Sequence, residues 1–158
     1  MRLPVSAAVA DHTTEEQAAT VEREAKRHHV LIAEDNAINQ FVIEEIMEAL
    51  GCRCTIVSDG RACVELIKQR HYDLVLMDCE MPVMDGYDAM RNIRRFEHSR
   101  GRSPVPIVAL TAHADESNRH KAQDAGMTDF ATKPFTLQDI SDVLDRNLDT
   151  PQALRAAS

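Results

Sequence analysis

Between Val30 and Leu148, short apolar runs alternate with longer segments in which apolar residues recur every three or four positions. The short runs, rich in aliphatic and β-branched residues, predict strands at Val30–Ala33, Cys54–Val57, Leu74–Met77, Ile107–Leu110 and Asp129–Thr132. The segments between and after them predict five helices. In the first, Ile38, Phe41, Val42, Ile46, Ala49 and Leu50 repeat at helical spacing and stop at Gly51, a residue suited to ending a helix. The second runs from Gly60 to about Gln69, with Val64, Leu66 and Ile67 available for burial, and the third from about Tyr87 to Phe96, ahead of the loop "EHSRGRSPVP". The fourth, within "DESNRHKAQDAG", has few large apolar residues and should be the least firmly docked. The fifth opens on Thr136 and Asp139, spaced as a capping box, and carries Leu137, Ile140, Val143, Leu144 and Leu148 as an apolar stripe. Strands alternating with helices imply a parallel sheet covered on both faces, hence an α/β doubly wound fold.

The first 28 residues break this pattern. "DHTTEEQAATVEREAKRHH" is polar, charged and poor in large apolar side chains, so it cannot build a core. The expected organisation is a flexible linker over 1–28, one domain over 29–148 and a tail over 149–158, with no internal repeat. No apolar run is long enough to span a bilayer, and "LPVSAAVA" lacks the apolar core of a secretory signal, so a cytoplasmic location without direct membrane contact is expected. The net charge of −8 argues against a nucleic-acid surface, which needs clustered Lys and Arg. "RNIRRFEHSRGR" is the local exception and reads as a solvated helix end. Cys52, Cys54, Cys63 and Cys79 match neither a zinc nor a C-x-x-C redox spacing and read as buried or bystander thiols.

In open α/β sheets ligands gather beyond the carboxyl ends of the strands, so the residue following each strand carries the chemical information. Glu34 and Asp35 follow the first strand, Asp78 the third, Thr111 the fourth, and Lys133-Pro134 the fifth; Ser58-Asp59, after the second, adds little. Three carboxylates driven together repel one another unless a divalent cation neutralises them, and ligation by oxygen alone suits Mg²⁺. A carboxylate is also a competent nucleophile toward phosphorus. Asp78, closing the apolar run in "DLVLMDCEMPVMDG", therefore reads as a phosphoryl acceptor, with Lys133 neutralising developing charge and Thr111 donating a hydrogen bond. Taken alone, Glu34-Asp35 would read as an ordinary helix N-terminal charge; the other strand-end residues give the metal reading its weight.

"VLIAEDNAIN", "DLVLMDCEMPVMDG", "PIVALTA" and "GMTDFATKPF", in this order, resemble the receiver (response-regulator) domain family over about Val30 to Leu148. The resemblance implies a flavodoxin-like five-stranded parallel sheet of order 2-1-3-4-5 with five helices. It further implies that Asp78 accepts a phosphoryl group from a histidine kinase or histidine phosphotransfer protein. Mg²⁺ would be held by Glu34, Asp35, Asp78 and the backbone carbonyl of Glu80. Thr111 and Lys133 would contact the phosphoryl group, Phe130 would be the aromatic switch, and Lys133-Pro134 would be cis. For Phe130 plain core packing weighs about equally, and the side chains of Glu80 and His113 are positions that would tune the phosphoryl lifetime. Phosphorylation should alter the face built by the fourth helix, fifth strand and fifth helix, which is also the face for dimerisation. "MRLPVSAA" resembles the last strand of a kinase ATP-binding domain, and "MDCEMPVMDGYDAMRNIR" resembles receivers of hybrid sensor histidine kinases, so a carboxy-terminal receiver of such a kinase is expected. The competing readings are a stand-alone single-domain regulator, a Mg²⁺-dependent phosphatase with an aspartate nucleophile, and a docking scaffold; the scaffold should lack the acceptor or the acidic pair, and both are present. No turnover beyond self-phosphorylation and self-dephosphorylation is expected.

Overall fold

The structure is a computed structural model that describes residues 28–113 and 115–148. The apolar runs form strands β1 (His29–Ala33), β2 (Arg53–Val57), β3 (Leu74–Asp78), β4 (Ile107–Thr111) and β5 (Asp129–Thr132). All neighbours pair in parallel, in the order β2-β1-β3-β4-β5. Helices α1 (Ala37–Ala49), α2 (Gly60–Gln69), α3 (Gly86–Arg100) and α4 (Glu116–Ala125) make the crossovers, and α5 (Leu137–Asn147) follows the last strand. This is the flavodoxin-like sheet that the sequence implied. The linker expected over 1–28, apart from His28, and the tail expected over 149–158 lie outside the described residues.

Successive side chains of a strand point to opposite faces, and here both sets are apolar because both faces are covered. Leu31, Ala33, Val75, Met77, Ile107 and Ala109 pack against Cys63, Val64 and Ile67 of α2, Met90 and Ile93 of α3, and Ala122 and Ala125 of α4. Val30, Ile32, Leu74, Leu76, Val108 and Leu110 pack on the other side against Ile43, Ile46 and Met47 of α1 and Ile140, Val143 and Leu144 of α5. The middle strand β3 is buried along its whole length. Asp78, its last residue, is thus held by a rigid element.

Each helix starts on a side-chain cap. Asn36, Asp59, Asp85, Asp115 and Thr136 accept hydrogen bonds from the first free backbone N–H groups of α1 to α5 in turn, and Thr136 and Asp139 form the reciprocal capping box. Two expectations need correction. Helix α3 continues to Arg100, so "EHSR" is helical; buried Glu97 anchors this last turn, accepting from Arg94 Nη1 at 2.8 Å and from the Val105 amide at 2.7 Å, and Gly101 ends it at φ 64°. The apolar stripes of α1 and α5 are also narrower than expected. Ile38, Phe41 and Val42 are 74%, 65% and 39% exposed and Leu137 is 48% exposed. At about 3.6 residues per turn, Ile38 and Phe41 fall on the side of α1 opposite the Ile43, Ile46 and Met47 stripe that meets the sheet.

Candidate functional site

The strand ends bring the acidic residues together as the sequence implied. One oxygen each from Glu34, Asp35 and Asp78 lie within 4.8 Å of one another, with Glu34 and Asp78 buried and Asp35 exposed. Lys133, reaching in from beyond β5, sets its ammonium 2.9 Å from Glu34 Oε1 and 3.0 Å from Asp78 Oδ2. The Lys133-Pro134 bond is cis, as the resemblance implied. Local hydrogen bonds aim the carboxylates. The Asn36 amide donates to Glu34 Oε2 at 3.1 Å while the Asn36 side chain caps α1, so the turn that starts the helix also folds Glu34 inward. Gln40 Nε2 donates to the Glu34 carbonyl and, at 3.2 Å, to Ser58 Oγ. The Glu80 amide donates to Asp78 Oδ1 at 3.1 Å.

The loop between β3 and α3 turns tightly beneath these groups. The Gly86 amide donates to the Cys79 carbonyl at 3.1 Å, and a Cβ at Gly86 would stand 2.2 Å from the Asp78 carbonyl oxygen. Only glycine lets α3 begin against the backbone of the acidic residue. The Met84 amide closes on the Pro82 carbonyl at 2.7 Å around Val83, whose φ of 69° is strained for a β-branched residue. Val83 is 77% exposed.

Burial and one shared ammonium set the protonation of the two carboxylates in opposite directions. Burial pushes the Asp78 carboxyl up to about 6, aided by the charge of Glu34 and opposed by the Glu80 amide and Lys133. Burial also acts upward on Glu34, but bonds from Lys133, the Asn36 amide and Asp78 carry it below its ordinary value. For Lys133 burial acts downward and is outweighed by the two carboxylates, which hold the ammonium above its ordinary value. Glu34 is therefore the charged partner of Lys133, and Asp78 is the carboxyl that retains a proton most readily.

The remaining expected residues are less engaged. Thr111 ends β4 beside the site, but its hydroxyl donates to the His113 carbonyl at 2.8 Å and accepts from the His113 amide at 3.1 Å, so it is tied to the loop after β4. Phe130 on β5 is half-buried and carries the Arg119 guanidinium 4.4 Å from its ring centroid, so it is neither fully core nor free. The side chain of Glu80 is exposed. Sequence reasoning missed the part of Asn36, although an Asn directly after an acidic pair and before a helical pattern is an N-cap signal.

The donor set suits a divalent cation. All three carboxylates offer oxygen alone, one ammonium leaves the cluster negative, and the buried Oε1 of Glu34 meets Lys133 as an ion pair while lacking a hydrogen bond of good geometry. Glu34, Asp35 and Asp78 would hold it.

Comparison with known proteins gives a consistent result. The family model for the response regulator receiver domain matches residues 30–145. The sensor protein GacS of Pseudomonas syringae pv. syringae is 39% identical over 115 residues, which cover 73% of this chain and 13% of GacS. This chain spans 7–13% of the length of the first curated relatives it matches. The receiver domain of sensor histidine kinase PA1611 from Pseudomonas aeruginosa PAO1, solved with magnesium in its active site cleft, is similar at 43% identity and a TM-score of 0.70, over 77% of this chain and 97% of that one. A chain of the Saccharomyces cerevisiae complex between the histidine phosphotransfer protein Ypd1 and the receiver domain of Ssk1 is similar at 32% identity and a TM-score of 0.74, over 77% of this chain and 88% of that one.

Proposed function

Because this chain belongs to the response regulator receiver domain family of two-component signalling, we propose that Asp78 is its phosphoryl acceptor, working with Mg²⁺. The observation that carries this reading is a buried carboxylate closing the central strand, 3.0 Å from Lys133 and clustered with Glu34 and Asp35. The phosphoryl group leaves a donor phosphohistidine as its N–P bond breaks, with the electron pair returning to the imidazole, while an oxygen of Asp78 forms the new O–P bond. Glu34, Asp35 and Asp78 would hold the Mg²⁺, which would supply positive charge against the negative charge of the transfer. Lys133 supplies a fixed positive charge beside the incoming oxygens, and Thr111 donates its hydroxyl to them once it leaves the His113 carbonyl. Phe130 then follows the space that Thr111 vacates.

A donor imidazole must come within bonding distance of Asp78, so its protein must cover the rim of the site. Ile38, Phe41 and Val42 of α1, with Val83 of the loop after β3, are the exposed apolar residues suited to such a partner. The complex of a related receiver with a histidine phosphotransfer protein supports that class of donor here. The sensor kinases among the relatives, of which this chain matches a small part, support a hybrid kinase as the parent protein. Among the described residues no helix is long and apolar enough to cross a membrane.

Incubation with Mg²⁺ and acetyl phosphate tests the assignment. Intact mass should rise by one phosphoryl group, base-labile and dependent on Mg²⁺, and Asp78→Asn should abolish the gain while retaining the circular dichroism of the fold. The same labelling in Asp78→Asn would overturn it.

A further inference from the structure

The opposite end of the sheet holds a second concavity, remote from the carboxylates. The segments that lead into β1, β3 and β4, together with the end of α5, enclose a cavity of about 450 Å³, within the ~300–1,000 Å³ range of small-molecule sites. Ile67, Pro104 and Val105 give it apolar walls, and its polar lining has an imbalance.

The acidic groups of this lining each have polar partners. Both oxygens of Glu97 are engaged, one by Arg94 Nη1 at 2.8 Å and the other by the Val105 amide at 2.7 Å. Asp73 Oδ2 accepts from the His29 amide at 2.8 Å, and the imidazoles of His28 and His71 stand 3.8 and 3.5 Å from its two oxygens. The donors are not matched. Arg102 gives one N–H to the Ile67 carbonyl at 3.0 Å and stacks on Phe96 at 5.3 Å, but among the described residues it has no carboxylate in ion-pair contact. Lys68 and Arg100 gather on the same ring at 6.0 and 5.5 Å, which concentrates positive charge beside the cavity in a chain of net charge −8. Tyr72, 2% exposed, forms part of the cavity wall with its ring against His29, and its hydroxyl, closed off beneath that wall, has no hydrogen-bond partner. A buried hydroxyl left in that state marks a place where another polar atom belongs.

We propose that this cavity binds a small organic anion. Its acid group pairs with Arg102 beside His28 and His71, the Tyr72 hydroxyl supplies a further donor, and its apolar body lies between Ile67, Pro104 and Val105. Guanidinium suits this role because its several N–H groups remain available in one plane after the bond to Ile67. The site shares no residue with the Asp78 cluster, so the inference stands whether or not Asp78 accepts phosphate.

A titration of the ¹⁵N-labelled full chain with benzoate tests it, with benzyl alcohol and benzylamine as neutral and cationic controls. Benzoate should cause saturable shifts centred on the amides of Tyr72, Asp73, Arg102 and Val105, and both controls should bind at least about tenfold more weakly. Arg102→Leu should weaken benzoate binding about tenfold and Tyr72→Phe about threefold, with the mass gain at Asp78 unchanged in both. Tyr72→Phe keeps the ring and its packing, so it decides the matter should Arg102→Leu fail to fold. Absence of saturable shifts with benzoate would overturn the proposal, as would equal binding of the controls or undiminished affinity in the variants. An ordered water alone beneath Tyr72 would give the first of these results.

Discussion

Burial raises the Asp78 carboxyl to about 6 against the pull of Lys133 at 3.0 Å, whereas at Glu34 the same ammonium at 2.9 Å, joined by the Asn36 amide and Asp78, outweighs burial and brings the carboxyl below its ordinary value. The identities of these residues were legible in the sequence because strand-end positions are set by where apolar runs stop. Orientations were not: whether Thr111 faces Asp78 or the His113 carbonyl depends on a rotamer and on the loop after β4, neither of which leaves a periodic signal. Asp129 offers a measurable case of the same physics. Burial acts upward on its carboxyl, but Arg146 Nε at 2.9 Å, Asn147 Nδ2 at 2.8 Å and the Phe130 amide at 2.8 Å bring it below its ordinary value. A depressed carboxyl contributes stability that is complete above the unfolded pKa, about 4, and disappears as the pH falls through the lower folded value. Asp129→Asn should therefore lower stability by about 1 kcal/mol at pH 7, a modest figure because Arg146 is half exposed, with the difference from wild type narrowing as the pH falls below the unfolded pKa of about 4. Urea titrations at pH 7 and pH 3 measure both differences, and an equal loss at the two values would remove the charge explanation.

At the scale of elements, the sequence pattern located the strands and helices of the described residues but could not assign each apolar residue to a face. In α1 two apolar sets coexist, and only Ile43, Ile46 and Met47 meet the sheet; Ile38, Phe41 and Val42 are left outside, beside the site. If those residues receive the donor protein, Phe41→Ala should reduce phosphotransfer from a histidine phosphotransfer protein by about tenfold in kcat/KM, as loss of one aromatic contact of ~1–2 kcal/mol implies, while leaving labelling by acetyl phosphate unchanged. Equal effects on both donors would place the defect in the site rather than in docking. The weak docking expected for α4 has a specific form. Its buried apolar residues are Ala122 and Ala125, and two cations strap it to its neighbours: Arg119 lies 4.4 Å from the Phe130 centroid and Lys121 4.3 Å from that of Tyr87. These two cation–π contacts join separate elements, so sequence spacing gives no sign of them. Each contributes about 0.5–1 kcal/mol at an exposed position, so Arg119→Ala with Lys121→Ala should speed amide exchange across 116–125 by about five- to thirtyfold. Exchange in α1 should not change; unaltered exchange in α4 would mean that the straps contribute nothing.

At the scale of the whole molecule, two apolar cores hold a sheet whose carboxyl edge collects like charge, and these pull in opposite directions. Alternating strands and helices made a parallel, doubly wound sheet legible, and the order of its five strands came from the resemblance carried by the four motifs, whereas the depth of burial of Glu34 and Asp78 emerged only from the packed sheet. Carboxylates fixed within 4.8 Å of one another oppose folding, since the unfolded chain lets them separate. A divalent cation held by all three should bind the folded state alone, and linkage then converts its binding into stability of the entire domain. Magnesium at about a hundred times its Kd should stabilise the protein by about 2.7 kcal/mol, or roughly 10 °C in Tm for a domain of this size. EDTA should return the protein to its metal-free Tm, and sodium chloride at matched ionic strength should give no comparable rise. Asp35→Asn leaves the buried Glu34–Lys133–Asp78 contacts in place because Asp35 is exposed, so its metal-free Tm should stay within about 2 °C of wild type while the magnesium increment largely vanishes. Thermal unfolding followed by circular dichroism separates the two effects, and a full magnesium increment in Asp35→Asn would exclude that carboxylate from the cation site.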